Sequence, residues 1–165
     1  MADDFPDTIT QKIGVLLRRE TEARVLAPVI EALAEVFGRD LVLAAVKTAI
    51  VDLARAQGAK MAAEYGNGAA DFLTTLQFWL KDDALEIDVL EQSDTRLDFN
   101  VTRCRYAEMY RALGIEELGA VFSCNRDFAL IEGFNPAARL SREKTILEGA
   151  DCCTFRYDFS KTQKK

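Results

Sequence analysis

The spacing of apolar residues changes near the middle of this 165-residue chain, and this change most constrains the fold. In the first half, apolar residues recur every three or four positions, as they do from Ile13 to Val36. This spacing predicts helices. From residue 85, "LEIDVLEQSDTRLDFNVTRC" alternates apolar and polar residues on both sides of "QSDT". Such alternation predicts an antiparallel hairpin with one buried face.

Breaks in the first half divide it into three predicted helices. Gly38 and the "GNG" at 66–68 separate the first helix from helices over about 41–65 and 69–80. Pro28 lies inside the first helix and predicts a kink or a break near Ala27, because proline removes a backbone hydrogen bond.

The second half predicts a small sheet with helices between its strands. Helical spacing returns over 106–134, and "ARLSREKTILEGADCCTFRYDFS" predicts a second hairpin that turns at "EGAD". We therefore expect one α+β domain over residues 1–165, with N-terminal helices (about 8–80) packed on a small antiparallel sheet. The order in the part over about 85–159 is ββααββ.

Charge and hydropathy restrict the partners and the location of the protein. A net charge of −6 argues against binding to nucleic acid, which requires a basic face. The most apolar stretch, 41–54, is interrupted by Lys47 and Asp52 and is too short to span a bilayer. "MADDFPDTIT" lacks the pattern of a signal peptide. We expect a cytoplasmic protein with a small-molecule partner and no membrane partner, and a homo-oligomer formed through the apolar N-terminal helices.

The chain has four cysteines and no histidine, so any acid–base chemistry must use other side chains. Clustered cysteines in a cytoplasmic protein indicate a metal or catalysis more often than a disulfide. Cys104 precedes the helical segment "RYAEMYRALG", where the helix dipole would favour its thiolate. Alternation along the last strand points Cys153 inward with Phe155 and Tyr157, and points Cys152 outward.

Asp127 follows Cys124 by three residues, a spacing that places both side chains on one face of a helix. The same face continues to Ile131, so we expect it to point inward. A buried carboxylate is costly unless it is paired, coordinated or hydrogen-bonded. Asp127 therefore either has a functional role or pairs structurally with an arginine such as Arg105 or Arg142.

Two long segments resemble a known family. "CRYAEMYRALGIEELGAVFSCNRDFALIEGFNP" and "LSREKTILEGADCCTFRY" are similar to the L-2-amino-thiazoline-4-carboxylic acid hydrolase family, over about residues 85–159. "SREKT" departs from the family pattern at Glu143. The matching positions are Cys104, Tyr106, Glu108, Cys124, Asp127, Asn135, Pro136, Thr145, Gly149, Cys153 and Phe155. The closing Gly-x-x-x-Cys-x-Phe also resembles 4-vinyl-reductase-type sensory domains, more loosely.

The family resemblance implies a hydrolase that opens a small cyclic amidine or ureide-like ring, such as 2-amino-thiazoline-4-carboxylate, at a C–N or C–S bond. Cys124 or Cys104 would attack or orient the ring, with Cys153 as a third inward thiol and Asp127 as acid or base. The residues expected to bind the substrate are Asn135, Arg105, Arg142 and Tyr106.

Two alternatives stay open at the level of sequence. Cys104, Cys124, Asp127 and Cys153 could hold zinc, which sulfur-rich sites with one carboxylate suit, although the paired Cys-x-x-Cys spacing is absent. The resemblance to sensory domains implies a non-catalytic domain that binds a small molecule and contains a structural zinc or cysteine cluster. In the metal-free form, the hydrolase would need no cofactor.

Overall fold

The computed structural model of the protein describes residues 8–160, which begin with a helical half. Two long helices are joined at Gly38, and two short helices and a 3₁₀ turn lead to the sheet. Their bounds are α1 Ile9–Phe37, α2 Arg39–Tyr65, α3 Ala69–Thr75, α4 Gln77–Leu80 and the 3₁₀ turn Lys81–Asp83.

The second half forms a four-stranded antiparallel sheet with the order β1-β2-β4-β3. The strands are β1 Leu85–Gln92, β2 Arg96–Cys104, β3 Arg139–Ser141 and β4 Cys153–Asp158. Between β2 and β3 lie α5 Arg105–Ala112, α6 Glu116–Gly119, a π-helical turn Ala120–Cys124 and α7 Arg126–Phe134. The predicted α+β class is confirmed, with helices first and strands in the second half.

Pro28 does not break α1, so of the predicted kink or break the break is wrong. The helix runs through Pro28, and its one non-helical residue is Gly14, at φ 74° and ψ 174°. Pro28 lies on the exposed side of the helix, where water can satisfy the carbonyl that loses its hydrogen bond. Ala27 and Ile30 pack in the core on the other side and hold the helix together.

The second hairpin forms, but its strands are shorter than the sequence predicted. β3 has three residues and pairs with the end of β4, from Arg139 opposite Asp158 to Ser141 opposite Arg156. Residues 142–152 form a long connection that contains the turn at 146–149. The strand ends early because Arg142 extends to the interior, where it pairs with Asp127.

Two glycines allow α2 and α7 to pack with their backbones in contact. A Cβ atom at Gly58 would lie 2.0 Å from the carbonyl oxygen of Leu130, and one at Gly133 would lie 1.9 Å from that of Arg55. Neither distance is sterically allowed, so only glycine fits at this crossing. The close packing sets the position of α7 relative to the N-terminal helices.

The apolar interior consists of two clusters that meet near the start of the sheet. One joins α3 and α7 to the inner face of the sheet, and the other joins α1 and α2 to α5. Trp79, Leu85 and Cys104 contact both clusters. A cavity lined by side chains from both clusters lies in this region.

The outer face of α1 carries exposed apolar residues at intervals of four or eight positions. These are Leu17, Val25, Val29, Leu33 and Phe37. A stripe of this kind is typical of a helix that packs against a partner, so the homo-oligomer stays a prediction. Among residues 8–160, no helix combines the length and hydropathy that crossing a membrane requires.

Candidate functional site

The cavity lies between the helices and the inner face of the sheet and has a volume of about 100 Å³. One water molecule needs roughly 10–15 Å³ of cavity volume, so the cavity has room for a small organic molecule. Its wall is mostly apolar, with Phe72, Trp79, Leu85, Phe99, Val101 and Tyr157 among the lining side chains. The polar side chains that reach it are few and are contributed by separate elements of the fold.

Asp127 and Arg142 form an ion pair at the cavity wall. Nη1 of Arg142 donates a hydrogen bond to Oδ2 of Asp127, and Nη2 donates to the carbonyl oxygen of Cys124 at 3.0 Å. The guanidinium also lies 5.0 Å from the ring centre of Phe128 and 5.4 Å from that of Phe155. These contacts hold Arg142, whose side chain is 8% exposed, in one orientation.

The carboxyl group of Asp127 has a pKa raised to about 6, because burial disfavours its charged form more than Arg142 stabilises it. The side chain is 24% exposed and lines the cavity, so we assign its accessible surface to the cavity. A carboxyl group with a pKa near neutrality can both take up and release a proton at physiological pH.

Cys104 and Cys124 both line the cavity, and burial raises the pKa of each thiol. The pKa of Cys104 rises to about 11 and that of Cys124 to about 12. Cys104 caps α5, and its sulfur accepts a hydrogen bond from the amide of Ala107 at 3.4 Å. The expected thiolate at this helix start is therefore wrong, because desolvation outweighs the helix terminus.

Cys124 ends the π-helical turn that precedes α7, and π turns occur frequently at functional sites. Cys124 and Asp127 both line the cavity, as their spacing predicted. The negative charge of Asp127 also contributes to the raised pKa of the Cys124 thiol. Cys124 and Asp127, three residues apart in the sequence, therefore also share one site in the structure.

Cys153 points inward and Cys152 does not reach the cavity, as strand alternation predicted. Cys153 is buried and lines the cavity, and its sulfur accepts a hydrogen bond from the amide of Ile146 at 3.2 Å. Burial raises the pKa of this thiol as well. Cys152 is half-buried and is not among the lining residues.

Two of the four residues expected to bind substrate lie elsewhere. Arg105 donates to the carbonyl oxygen of Asp82 at 2.6 Å and lines a separate surface depression. Asn135 is buried, and its side chain bonds backbone atoms of Asn67 and Ala137. It therefore stabilises the chain after α7 and does not line the cavity. Both assignments are corrected, because neighbouring backbone engages these side chains outside the site.

Tyr106 and Arg142 do line the cavity. The hydroxyl of Tyr106 donates to the carbonyl oxygen of Trp79 at 3.2 Å, and burial raises the pKa of this phenol well above its ordinary value. Tyr106 therefore contributes a neutral ring and a hydrogen-bonded hydroxyl to the wall.

Sequence reasoning missed two arginines that line the cavity, Arg19 of α1 and Arg126 of α7. Arg19 is 3% exposed and donates to Glu22 at 2.6 Å. The segment "RRETEAR" at 18–24 is rich in charged residues, which is typical of a solvated helix face, but Arg19 lies on its buried side. The one available signal was helical spacing, because Arg19 lies four residues after Val15 and four before Ala23, and both are buried.

The candidate zinc ligands Cys104, Cys124, Asp127 and Cys153 all line the cavity. Within residues 8–160, no group of three or more histidine, cysteine, aspartate or glutamate side chains is placed to hold a metal ion. Arg142 binds the Asp127 carboxylate, and backbone amides donate to the sulfur atoms of Cys104 and Cys153. Among the described residues, this arrangement does not form a zinc site, and the zinc alternative stays a prediction from the sequence.

Comparison with solved structures and curated proteins informs mainly on the fold. Among similar solved structures is the trafficking protein particle complex subunit 3 from Naegleria fowleri covalently bound to palmitic acid. It has 13% sequence identity and a TM-score of 0.50, and the match covers 90% of this chain and 99% of that chain. No curated protein matches the sequence.

A family model gives the more informative comparison. The model of L-2-amino-thiazoline-4-carboxylic acid hydrolase matches residues 18–157. The matched range begins in α1 and ends in β4, so it includes every element that lines the cavity. The chain belongs to the L-2-amino-thiazoline-4-carboxylic acid hydrolase family.

Proposed function

We propose that this protein hydrolyses a small cyclic amidine that carries a carboxylate, of the 2-amino-thiazoline-4-carboxylate type, and that it does so without a metal. The family name supports a hydrolase that acts on a thiazoline. The observation that carries the proposal is the position of Asp127, a carboxyl group with a pKa of about 6 that lines the cavity with Cys124.

Asp127 serves as the general base that activates Cys124. A thiol with a pKa of about 12 is almost entirely protonated at neutral pH, and a neutral thiol is a weak nucleophile. A neighbouring base must therefore accept its proton as it attacks. Backbone amides donate to the sulfur atoms of Cys104 and Cys153. We propose that these two thiols shape the cavity.

The proposed reaction balances in two stages. The Cys124 sulfur bonds to the ring carbon between nitrogen and sulfur, its proton passes to Asp127, and the ring C–S bond breaks as Asp127 protonates the leaving sulfur. Water then attacks the same carbon and displaces Cys124. One proton of the water passes through Asp127 to the Cys124 sulfur, and the other moves to the amidine nitrogen as the carbonyl forms. The product is a carbamoyl-cysteine, and enzyme groups return to their starting states.

Replacement of the cavity thiols one at a time tests this assignment. We expect Cys124→Ser to lower kcat for ring opening by about 100-fold or more, because a hydroxyl is a weaker nucleophile than a thiol. Cys152→Ser is the matched control and should retain wild-type kcat, since Cys152 does not line the cavity. Ring opening is followed by chromatography of the carbamoyl-cysteine, in chelator-treated protein. Wild-type kcat in Cys124→Ser, or loss of turnover on chelation, would contradict the proposal.

The pH dependence provides a second measurement. A general base works only when ionised, and the pKa of Asp127 is raised to about 6. We therefore expect kcat/KM to increase as the pH rises through about 6, and not near the ordinary aspartate value of about 4. Circular dichroism at each pH controls for unfolding. A kcat/KM that stays constant between about pH 5 and 7 would remove Asp127 from this role.

A second candidate function is binding of a small molecule without turnover. The raised thiol pKa values favour this candidate, since neutral buried thiols are ordinary components of an apolar wall. The solved structure of similar fold is covalently bound to palmitic acid, and the cavity here is also mostly apolar. Tight binding of a ring or acyl compound that is recovered unchanged would favour this candidate over the hydrolase.

A further inference from the structure

Arg126 has a hydrogen-bond donor that no described residue satisfies. Its side chain is 6% exposed and lines the cavity. Among the described residues 8–160, its Nη1 atom is buried without a hydrogen-bond acceptor. Nη2 reaches Oε1 of Gln57 at a long 3.4 Å. Buried donors in folded proteins nearly always have a hydrogen-bond acceptor. The Nη1 atom of Arg126 therefore indicates an acceptor that a bound molecule supplies.

The charges around Arg126 do not balance. Its nearest carboxylate is Glu22, whose Oε2 lies 3.7 Å from Nη1 of Arg126. That carboxylate is already bound by Arg19 at 2.6 Å and by Arg18 at 3.0 Å. Arg19 and Arg126, which both line the cavity, thus share this carboxylate.

The other carboxylate of the cavity does not remove this excess. Asp127 is held by Arg142, which forms its own ion pair with it. Desolvation and the charge of Arg19 lower the pKa of Arg126 to about 10, so the guanidinium is still charged at neutral pH. A buried charge whose one close carboxylate is shared with another arginine is costly, and an anion in the cavity would relieve that cost.

Neutral groups beside the two arginines also suit an anion. The hydroxyls of Tyr110 and Ser123 lie 2.8 Å apart, and both residues line the cavity. Arg19 and Arg126 line the same cavity as these two hydroxyls. One of the two hydroxyls donates to the other, which leaves one hydroxyl proton for an anion.

We propose that Arg126 and Arg19 form an anion subsite of the cavity that holds the carboxylate of a small organic acid. A guanidinium presents parallel N–H groups that match the two oxygens of a carboxylate. The remainder of the ligand then lies against the apolar wall, near Cys124 and Asp127. Only the identity of the ring that carries the carboxylate rests on the proposed function.

Binding is measured by calorimetry on wild-type protein and on Cys124→Ser, in which slow ring opening separates the heat of binding from the heat of turnover. The probes are L-2-amino-thiazoline-4-carboxylate, 2-aminothiazoline without the carboxylate, acetate and inorganic phosphate. Both proteins should bind the carboxylate form about 10- to 100-fold more tightly than the ring alone. Acetate should compete, and phosphate should not bind more tightly than the carboxylate ring. A preference below about 3-fold, or tighter binding of phosphate, would overturn the carboxylate subsite.

Variants identify the residue responsible. Arg126→Gln should lose the same 10- to 100-fold preference, and Arg126→Lys should lose part of it, because it keeps the charge but not the paired donors. Arg24→Gln, on the exposed side of α1, is the matched control and should bind as wild type does. An unchanged preference in Arg126→Gln overturns the proposal. If that variant does not fold, the comparison of ligands on wild-type protein decides. Binding of the carboxylate ring without ring opening would support the subsite and contradict the hydrolase.

Discussion

Asp127→Asn is expected to lower kcat for ring opening by about 100-fold or more while the protein stays folded. The amide cannot accept a proton from Cys124 or pass one to the leaving sulfur, so both proton transfers lose their catalyst. Its oxygen can still accept the hydrogen bond that Arg142 donates to Asp127, so the contact at the cavity wall persists. The rate is measured at a pH above about 7, where Asp127 of the wild type is ionised.

A second paired aspartate provides the control for Asp127→Asn. Asp98 is also largely buried and accepts a hydrogen bond from Arg96 at 2.6 Å, but it does not line the cavity. Asp98→Asn should change the stability and leave kcat of the folded protein at the wild-type value. Equal losses of kcat in the two variants would indicate a structural effect and contradict a role of Asp127 in proton transfer.

Protonation of Asp127 also affects stability, in a direction that its pKa determines. The pKa in the folded state is about 6, above the value of about 3.9 in an unfolded chain. The folded state therefore binds more protons between these values, and the contribution of this residue to the free energy of unfolding falls as the pH rises through that interval. Above about pH 6, where Asp127 is ionised in the folded protein, its full destabilising contribution to the free energy of unfolding is present. Asp127→Asn should remove this part of the pH dependence.

Gly133→Ala is expected to lower the free energy of unfolding by about 3 kcal/mol or more. The new Cβ would lie 1.9 Å from the carbonyl oxygen of Arg55, and backbone atoms in two packed helices cannot move aside as a side chain can. α7 must shift away from α2 to relieve the clash. For a chain of this size, 3 kcal/mol corresponds to a fall in Tm of roughly 6–12 °C, measurable by circular dichroism or calorimetry.

The same shift should reach the cavity, because α7 begins with Arg126 and Asp127. Gly58→Ala meets the carbonyl of Leu130 at 2.0 Å and should have a similar effect. Gly68→Ala is the matched control: its Cβ lies 3.3 Å from one carboxylate oxygen of Asp71, and we expect a cost below about 1 kcal/mol. Without the clash, alanine in a helix interior would stabilise by up to about 1 kcal/mol, so a stabilised Gly133→Ala would contradict the close packing.

Local patterns predicted the elements and the inward thiols of this protein. The alternation over 85–104 predicted the first hairpin because side chains on a strand point to opposite faces with a period of two. The same rule placed Cys153 inward. The three-residue spacing of Cys124 and Asp127 predicted that they share a surface, and both line the cavity. Each of these predictions depends on residues close together in the chain.

The environment of each side chain depended on contacts that local patterns do not contain. A helix terminus suggested a reactive Cys104, but burial by the sheet and α5 raises its pKa to about 11. Asn135 and Arg105 matched substrate-binding positions, but backbone atoms of Asn67 and Asp82 engage them away from the cavity. The burial of a side chain and its hydrogen-bond partners depend on residues that are distant in the sequence.

The sequence by itself determined the α+β class, the order of its helices and strands, and the set of thiols and carboxylate that face inward. It could do so because backbone periodicity and family motifs are encoded locally. Only the tertiary structure decided that Arg19 and Arg126 lie in the same cavity as Asp127. The reason is physical: charged residues on a helix have the same spacing whether they face solvent or an interior. The contact of α2 with α7 at Gly58 and Gly133 brings α7 against the N-terminal helices.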